Sequence, residues 1–589
     1  MNRIFLLLLF FQQITGSAFA QSNPNWRDKL SPEILAAFEH GEKTDILIAF
    51  TEKADLSEAR QLKTKSEKAH FVAQRLLETA GKTQTRAIRL LRDADAQVNS
   101  FYLVNAMAVE NADPALLPAL AQLSEVGSIS LDPWVTFQGP AMETAPVVER
   151  NAVEWGVDKI SAPLVWALGY TGQGITVGGS DTGYQWDHPA LKDHYRGWNA
   201  GTANHNYNWH DAIHEVSPLS DSTLVNFCGL NAQIPCDDSQ HGTHTMGTMT
   251  GDDGLGNQIG VAPGAKWIGC RNMERGNGKP STYIECFEFF LAPTDLNGQN
   301  PDPEQAPHVI NNSWYCAVSE GCTDLAVNEL MRQAVINLRT SGVVVVVSNG
   351  NFGNSGCNTT YGPPAYFEES FSVGATRFDD TLANFSSRGP VTIDGSKRIK
   401  PNVAAPGVFV RSSTPINSYD FFSGTSMAGP HVAGLVALIL SARPDLAGNV
   451  ELIEQIVEQT AIFKSDPDNC GDIDGSLRPN NAFGWGRVDA LEALNLILQQ
   501  ASGTSEPDAA VVSVLPNPTS GKVIFDLQHV NGPISLRIFN ADGRLVYETA
   551  RTVQQNDLLP VSLEHEHAGV YFWQVKTDKG MLSGKIAKQ

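Results

Sequence analysis

The 589-residue chain predicts an α/β fold: a parallel sheet with helices on both faces, preceded by a smaller α+β unit and followed by a small antiparallel β-sandwich. Three observations carry this prediction. From about 153 to 497 short apolar runs alternate with helical stretches, the pattern of a parallel sheet covered by helices. Two of those runs, GITVGGSD (174–181) and VVVVVSNG (343–350), end in small or polar residues, and ligands of such sheets bind beyond the carboxyl ends of the strands. After a polar linker, ASGTSEPDAA (501–510), the chain reads as strands separated by Asn, Asp and Gly turns.

The start, MNRIFLLLLFFQQITGSAFA, has one basic residue (Arg3), an apolar run from Ile4 to Phe11 and an Ala18-Phe19-Ala20 cleavage pattern. It reads as a secretory signal peptide over 1–20. No later apolar stretch reaches the length of a membrane span. Within residues 21–150 the pattern from Asp45 to Asp132 reads strand DILIAF, a helix over about 66–95, strand FYLVNAMAVE, helix PALLPALAQL and strand VGSISLD. The stretch 133–152, with Gly139-Pro140 and Pro146, is linker-like. The α/β domain then spans 151–498, a linker 499–509 and the β-sandwich 510–589.

Net charge is −22, which argues against a nucleic-acid partner. Between Arg60 and Arg92, however, nine Lys or Arg stand against two Glu. A basic helix can contact a membrane or nucleic acid, or dock on an acidic neighbour in the same chain. All eight cysteines lie between Cys228 and Cys470, and in an exported chain that pattern indicates disulfides. Cys228 with Cys236 and Cys316 with Cys322 would close short loops. Cys270, Cys286, Cys357 and Cys470 can pair in three ways. A zinc cluster ranks lower because no C-x-x-C occurs.

Three segments hold candidates for chemistry. Ser426 lies in FFSGTSMAGPHVAG (421–434), among small residues and ahead of an apolar helical run. Alone it would be a helix cap. Asp181 ends a strand in GGSDTGYQWDHP. A D-T-G tripeptide would suit an aspartic protease, but the second carboxylate of that chemistry has no counterpart motif here. His241 opens QHGTHTMGTMTG. With His244 it could hold a metal, yet a third ligand and an H-E-x-x-H motif are missing. Together, Asp181, His241 and Ser426 supply the parts of a Ser–His–Asp triad in one of its known chain orders.

GITVGGSDTG, HGTHTMGT, GVAPGA (260–265), VINNSW (309–314), SNGNFGN and SGTSMAGPHVAG occur in the order of the subtilisin-like serine proteases. Over about 155–495 the chain resembles that family, and GTSMAGPHV and NNSW are most similar to its bacillopeptidase-F-like branch. The resemblance implies that Ser426 is the nucleophile, His241 its general base and Asp181 the group that orients His241. It implies an oxyanion hole of the Asn351 side chain and the Ser426 N–H, with Asn349 and Asn354 the neighbouring alternatives. Ser313, Trp314, Tyr315 and Gly350 would flank the pocket for the residue before the cut bond, with Gly362 as its floor. A small uncharged floor suggests large apolar residues, although the family usually has glycine where Tyr315 stands. The chemistry requires no cofactor. Structural calcium is common in the family, and GDDGLGNQIG offers Asp252 and Asp253 as ligands.

The segment 21–150 is similar to the inhibitor-type propeptides of the family, small ferredoxin-like α+β units, and the resemblance implies self-removal near 140–155. PNPTSG, NADGRLV, GVYFWQV and the closing GKIAKQ resemble the C-terminal sorting domain of type IX secretion. A carbohydrate- or surface-binding sandwich is the rival reading there. The expectation is therefore a secreted or surface-bound serine endopeptidase exported through the periplasm. Its partners would be protein or peptide substrates, its own propeptide in cis and the type IX machinery, and a monomer is the default. The alternative is an exported adhesin or scaffold on an inactive protease fold. An esterase would normally carry G-x-S-x-G, and Ser426 is preceded by Thr425.

Overall fold

The computed structural model describes residues 25–589 apart from 138, 140, 143–152, 224, 316–323, 503–510 and, nearer the end, 516–518, 520, 529, 541–543, 555–556, 578–579 and 589. The expected signal peptide and the pair Cys316 and Cys322 lie outside the described residues. The chain divides into two compact units, Met1–Ile497 and Leu498–Gln589.

Within the first unit, residues 25–137 build a four-stranded antiparallel sheet in the order Gln97–Phe101, Ala106–Ala112, Thr44–Phe50, Val126–Leu131. This is the strand order of a ferredoxin-like βαββαβ unit. The helix expected over 66–95 is two helices, Lys65–Thr83 and Thr85–Asp93. The break falls at Gln84, whose buried amide donates to Phe101 O (3.1 Å) and Asn105 Oδ1 (3.0 Å). The strand expected over FYLVNAMAVE likewise splits into a hairpin whose turn holds Asn105 at φ 49°, a conformation Asn tolerates better than most residues.

This sheet docks on two helices, Pro280–Leu291 and Leu325–Thr340. Leu47, Val72, Leu76 and Phe101 share one buried cluster with Tyr283, Phe287 and Leu338. Around that apolar contact, Asn99 Nδ2 donates to Glu285 Oε2 (2.5 Å), Leu103 N to Glu288 Oε2 (2.7 Å) and Asn337 Nδ2 to Leu103 O (2.6 Å). The basic stretch divides its contacts. Lys65 and Lys68 donate across the interface to Ala306 O and Gly448 O, and His70 faces Glu304. Arg75, Lys82 and Arg86 pair with Glu78, Glu52 and Glu125 of their own segment.

The large sheet has seven parallel strands in the order Trp209–Asp211, Lys266–Arg271, Thr176–Asp181, Val309–Asn312, Val344–Ser348, Phe371–Thr376, Val403–Pro406. Val343 to Val347 are buried, as a strand covered on both faces requires. Because the strands run parallel, Asp181, Asn312 and Ser348 end at one edge. The helix Thr425–Ala442 packs across the middle of the sheet and against the helix His241–Thr250. By length and apolar composition it could span a bilayer, contrary to the sequence expectation. Here it is the buried centre of the domain. Disulfides join Cys228–Cys236, Cys270–Cys286 and Cys357–Cys470, one of the three pairings left open for the last four cysteines.

The second unit is a sandwich of two antiparallel sheets. One has three strands, Val511–Leu515, Lys522–Gln528 and Asp557–Ser562, and the other four, from Gly532 to Phe539, Leu545 to Val553, Gly569 to Thr577 and Gly580 to Lys588. Phe525, Leu536, Ile538, Trp573, Val575 and Ile586 fill its core.

Candidate active site

Asp181 arrives at the end of a central strand and His241 at the first position of a helix. The two meet with His241 Nδ1 at 2.7 Å from Asp181 Oδ1, and both are buried. Asp181 also accepts from Thr182 N (2.8 Å) and Thr245 Oγ1 (3.3 Å), which leaves His241 Nε2 as the ring's free end. That atom is buried without a hydrogen-bond partner among the described residues. His244, one turn on, is no companion ligand. Its Nε2 faces Val410 O and Asp420 O, its ring stacks on Phe422, and burial pushes it down to about 3.

Ser426 is the second residue of its helix, after Gly424 at the cap position. Its Oγ donates to Ser313 O (3.1 Å), and Ser313 Oγ donates back to Ser426 O (2.8 Å). The second bond has a cause in the sequence. Pro430 stands four residues on and lacks the N–H that would otherwise take the Ser426 carbonyl. Asn351 turns its Oδ1 to Thr425 N and Thr425 Oγ1, both at 2.9 Å, so its amide NH2 end faces away from Thr425. Asn349 is excluded from that role because its own amide donates to Thr360 Oγ1 and Ser387 O inside the core. Asn354 lies in a short exposed helical turn.

The pocket residues separate. Ser313 and Gly350 border Ser426 and Thr425, with Gly350 N donating to Thr425 Oγ1. Trp314 turns inward and stacks on Tyr283 at 4.0 Å between centroids. Tyr315 meets Phe352 edge-on at 5.1 Å, and Phe352 stacks on Tyr361 beside buried Gly362. Asp252 and Asp253 do not form a cage. Asp253 accepts from Leu255 N, Asn257 N, Asn257 Nδ2 and Tyr419 OH, and Asp252 from Gly254 N. Among the described residues no group of three or more His, Cys, Asp or Glu could hold a metal ion.

Two short stretches of the N-terminal segment pair with strands beside these residues. Val135–Thr136 pairs antiparallel with Asn277–Gly278, and Phe137 N donates to Gly276 O (2.8 Å). The Phe137 ring lies 4.8 Å from the His241 ring. Ala141–Met142 then pairs with Phe422–Ser423, just ahead of Ser426. Sequence reasoning missed Phe137, Thr425 and also Asp237, whose carboxylate gathers the first turn of the histidine helix. Only Asp237 left a legible signal, an acid four residues before His241 in DDSQH.

Residues 172–486 match the model of the subtilase family, Peptidase S8. The chain belongs to the subtilase family. Bacillopeptidase F of Bacillus subtilis (strain 168) is 36% identical over 516 residues, 81% of this chain and 33% of that protein. Subtilisin E of the same strain is 32% identical over 350 residues, 59% of this chain and 75% of that protein. The chain thus spans about a third of the length of Bacillopeptidase F. Its subtilase domain is a serine-type endopeptidase domain, and residues 513–589 match a secretion system C-terminal sorting domain. That second match marks this subtilase for export to the cell surface or the medium.

Proposed function

We propose that the protein is a secreted serine endopeptidase that cuts peptide bonds in proteins and severs its own N-terminal segment. In this reading Ser426 exchanges the Ser313 carbonyl for His241 Nε2. His241 takes the hydroxyl proton as Oγ attacks the substrate carbonyl. Asp181 holds the ring in the tautomer with its proton on Nδ1 and stabilises the imidazolium. The oxyanion is met by Asn351 Nδ2 and Ser426 N–H at the positive end of the helix. His241 then protonates the leaving amine, and water releases the acyl group. The observation that carries the proposal is the buried 2.7 Å Asp181–His241 contact with its Nε2 left unpartnered.

The N-terminal segment expected over 21–150 acts as a propeptide, and the bond it loses follows Phe137, just before or at the start of the 140–155 range expected from sequence. Support comes from the strand pairings on either side, at Gly278 and at Ser423. Structural calcium at Asp252 and Asp253 is no part of the proposal, since the Asp253 oxygens already accept from Leu255, Asn257 and Tyr419. The test is expression of wild type and Ser426→Ala with a serine-directed covalent label and N-terminal reading of every fragment. Expected are a new terminus between Gln138 and Ala141 and labelling at Ser426 in wild type alone. Cleavage there in purified Ser426→Ala would assign processing to another protease. An unlabelled, inactive wild type would leave the scaffold reading.

A further inference from the structure

Asp237 is 3% exposed, and its carboxylate accepts five hydrogen bonds. Oδ1 takes Thr182 Oγ1 (2.9 Å), Ser239 N (3.0 Å) and Gln240 N (2.9 Å). Oδ2 takes Thr243 N (2.9 Å) and Thr243 Oγ1 (2.6 Å). Four of the five donors surround His241 in sequence, and the fifth is the neighbour of Asp181. Thr182 Oγ1 accepts in turn from Gly242 N (2.9 Å). One carboxylate and one hydroxyl therefore bind the end of the aspartate strand to the start of the histidine helix. The backbones are pressed together at the same place. A Cβ on Gly242 would stand 2.0 Å from Gly183 O.

We propose that Asp237 is a positioning residue of the catalytic dyad: through Thr182 it sets the separation of Asp181 and His241, and its charge supports the imidazolium formed in each turnover. This deepens the endopeptidase reading and rests on it. Five donors and the helix dipole are what a buried anion needs in place of water, although burial still pushes the Asp237 carboxyl upward. The other ionisable groups around it are Asp181, the Tyr184 phenol, and Asp238, whose Oδ2 pairs with Arg271 at 3.0 Å. A merely structural cap would carry the helix start alone. This one also spans to the strand that bears Asp181.

The experiment compares Asp237→Asn, Thr182→Val and Thr182→Ser in the full chain. It follows self-cleavage as a single turnover, peptide hydrolysis after processing, and the downfield Nδ1 proton resonance of His241. Asp237→Asn keeps the size and removes the charge. It should lower kcat about 100-fold, the cost of misplacing a reacting group, with KM within about threefold. The acid limb of its pH–rate profile should move to lower pH, as loss of a nearby anion requires. Thr182→Ser should match wild type, while Thr182→Val should lose about tenfold in kcat with the acid limb in place. An Asp237→Asn enzyme with kcat within about threefold of wild type and an unmoved limb overturns the proposal. If that variant does not fold, equal rates for Thr182→Val and Thr182→Ser overturn it. A wild type that hydrolyses nothing overturns the endopeptidase reading, and the resonance then decides the positioning separately. Its retention unchanged in Asp237→Asn overturns the inference, and its loss or shift supports it.

Discussion

Ser426 shows how one residue's neighbours are assigned by the first turns of its own helix. The helix start aims N–H groups at the cleft, and Pro430 releases the Ser426 carbonyl to Ser313. Ser313→Ala should leave that buried carbonyl unsatisfied and cost about 1–3 kcal/mol, read as a lower urea midpoint at unchanged slope. Asn351→Ala should fold normally and lose about 100- to 1000-fold in kcat. Wild-type turnover in that variant would move the oxyanion donor elsewhere. The resemblance put the oxyanion asparagine at Asn351, with Asn349 and Asn354 as neighbouring alternatives. What separates Asn351 from Asn349 is the partner of each amide, Thr425 for one and the core groups of Thr360 and Ser387 for the other. Those partners are 11 to 74 residues distant in the chain, so no local pattern could have named them.

At the scale of elements, strands and helices were legible wherever a long apolar run was buried on both sides. The valine strand and the serine helix are of that kind. The misread elements are those in which one polar side chain overrode periodicity, as Gln84 does between two helices. Junctions between elements depend on close backbone approach. Gly183 has φ 109°, and a Cβ there would stand 1.8 Å from Cys236 O, whereas Gly174, at φ 79°, has nothing within 4 Å. Gly183→Ala should abolish the yield of folded, secreted protein. Gly174→Ala should cost only about 1 kcal/mol, the ordinary strain of a side chain at positive φ. The secreted yield of both variants, with a thermal melt of Gly174→Ala, distinguishes local backbone strain from the collision.

Over the whole molecule, the N-terminal sheet and the α/β domain bury charge between them. Burial pushes Glu288 up to about 8, while a carboxyl exposed on a released catalytic domain would titrate near 4.3. The association is therefore strongest below about pH 4.3, where Glu288 is protonated in both states. It weakens as pH rises and the contribution is gone above about 8. Against its own burial, Glu285 is drawn down to about 2 by His210 and His214, partners on the α/β domain that stay with it. The cleaved N-terminal segment should co-elute with the enzyme at pH 5 and separate at pH 9, and Glu288→Gln should flatten that difference. Identical elution at both values would remove Glu288 from the release. The Cys357–Cys470 bridge closes a span of 113 residues, for which chain entropy gives about 4–5 kcal/mol. Paired Cys→Ser replacement should lower Tm correspondingly. By itself the sequence determined the family, and it supplied the three positions proposed for the triad, because each lies in a contiguous motif whose small residues and strand or helix ends are required locally. Tertiary structure alone decided which asparagine faces Thr425, how Cys270, Cys286, Cys357 and Cys470 pair, that Asp237 spans strand and helix, and that Val135–Thr136 and Ala141–Met142 pair with strands beside the site. Each of these depends on groups far apart in the chain, brought together only when the sheet and its helices have packed.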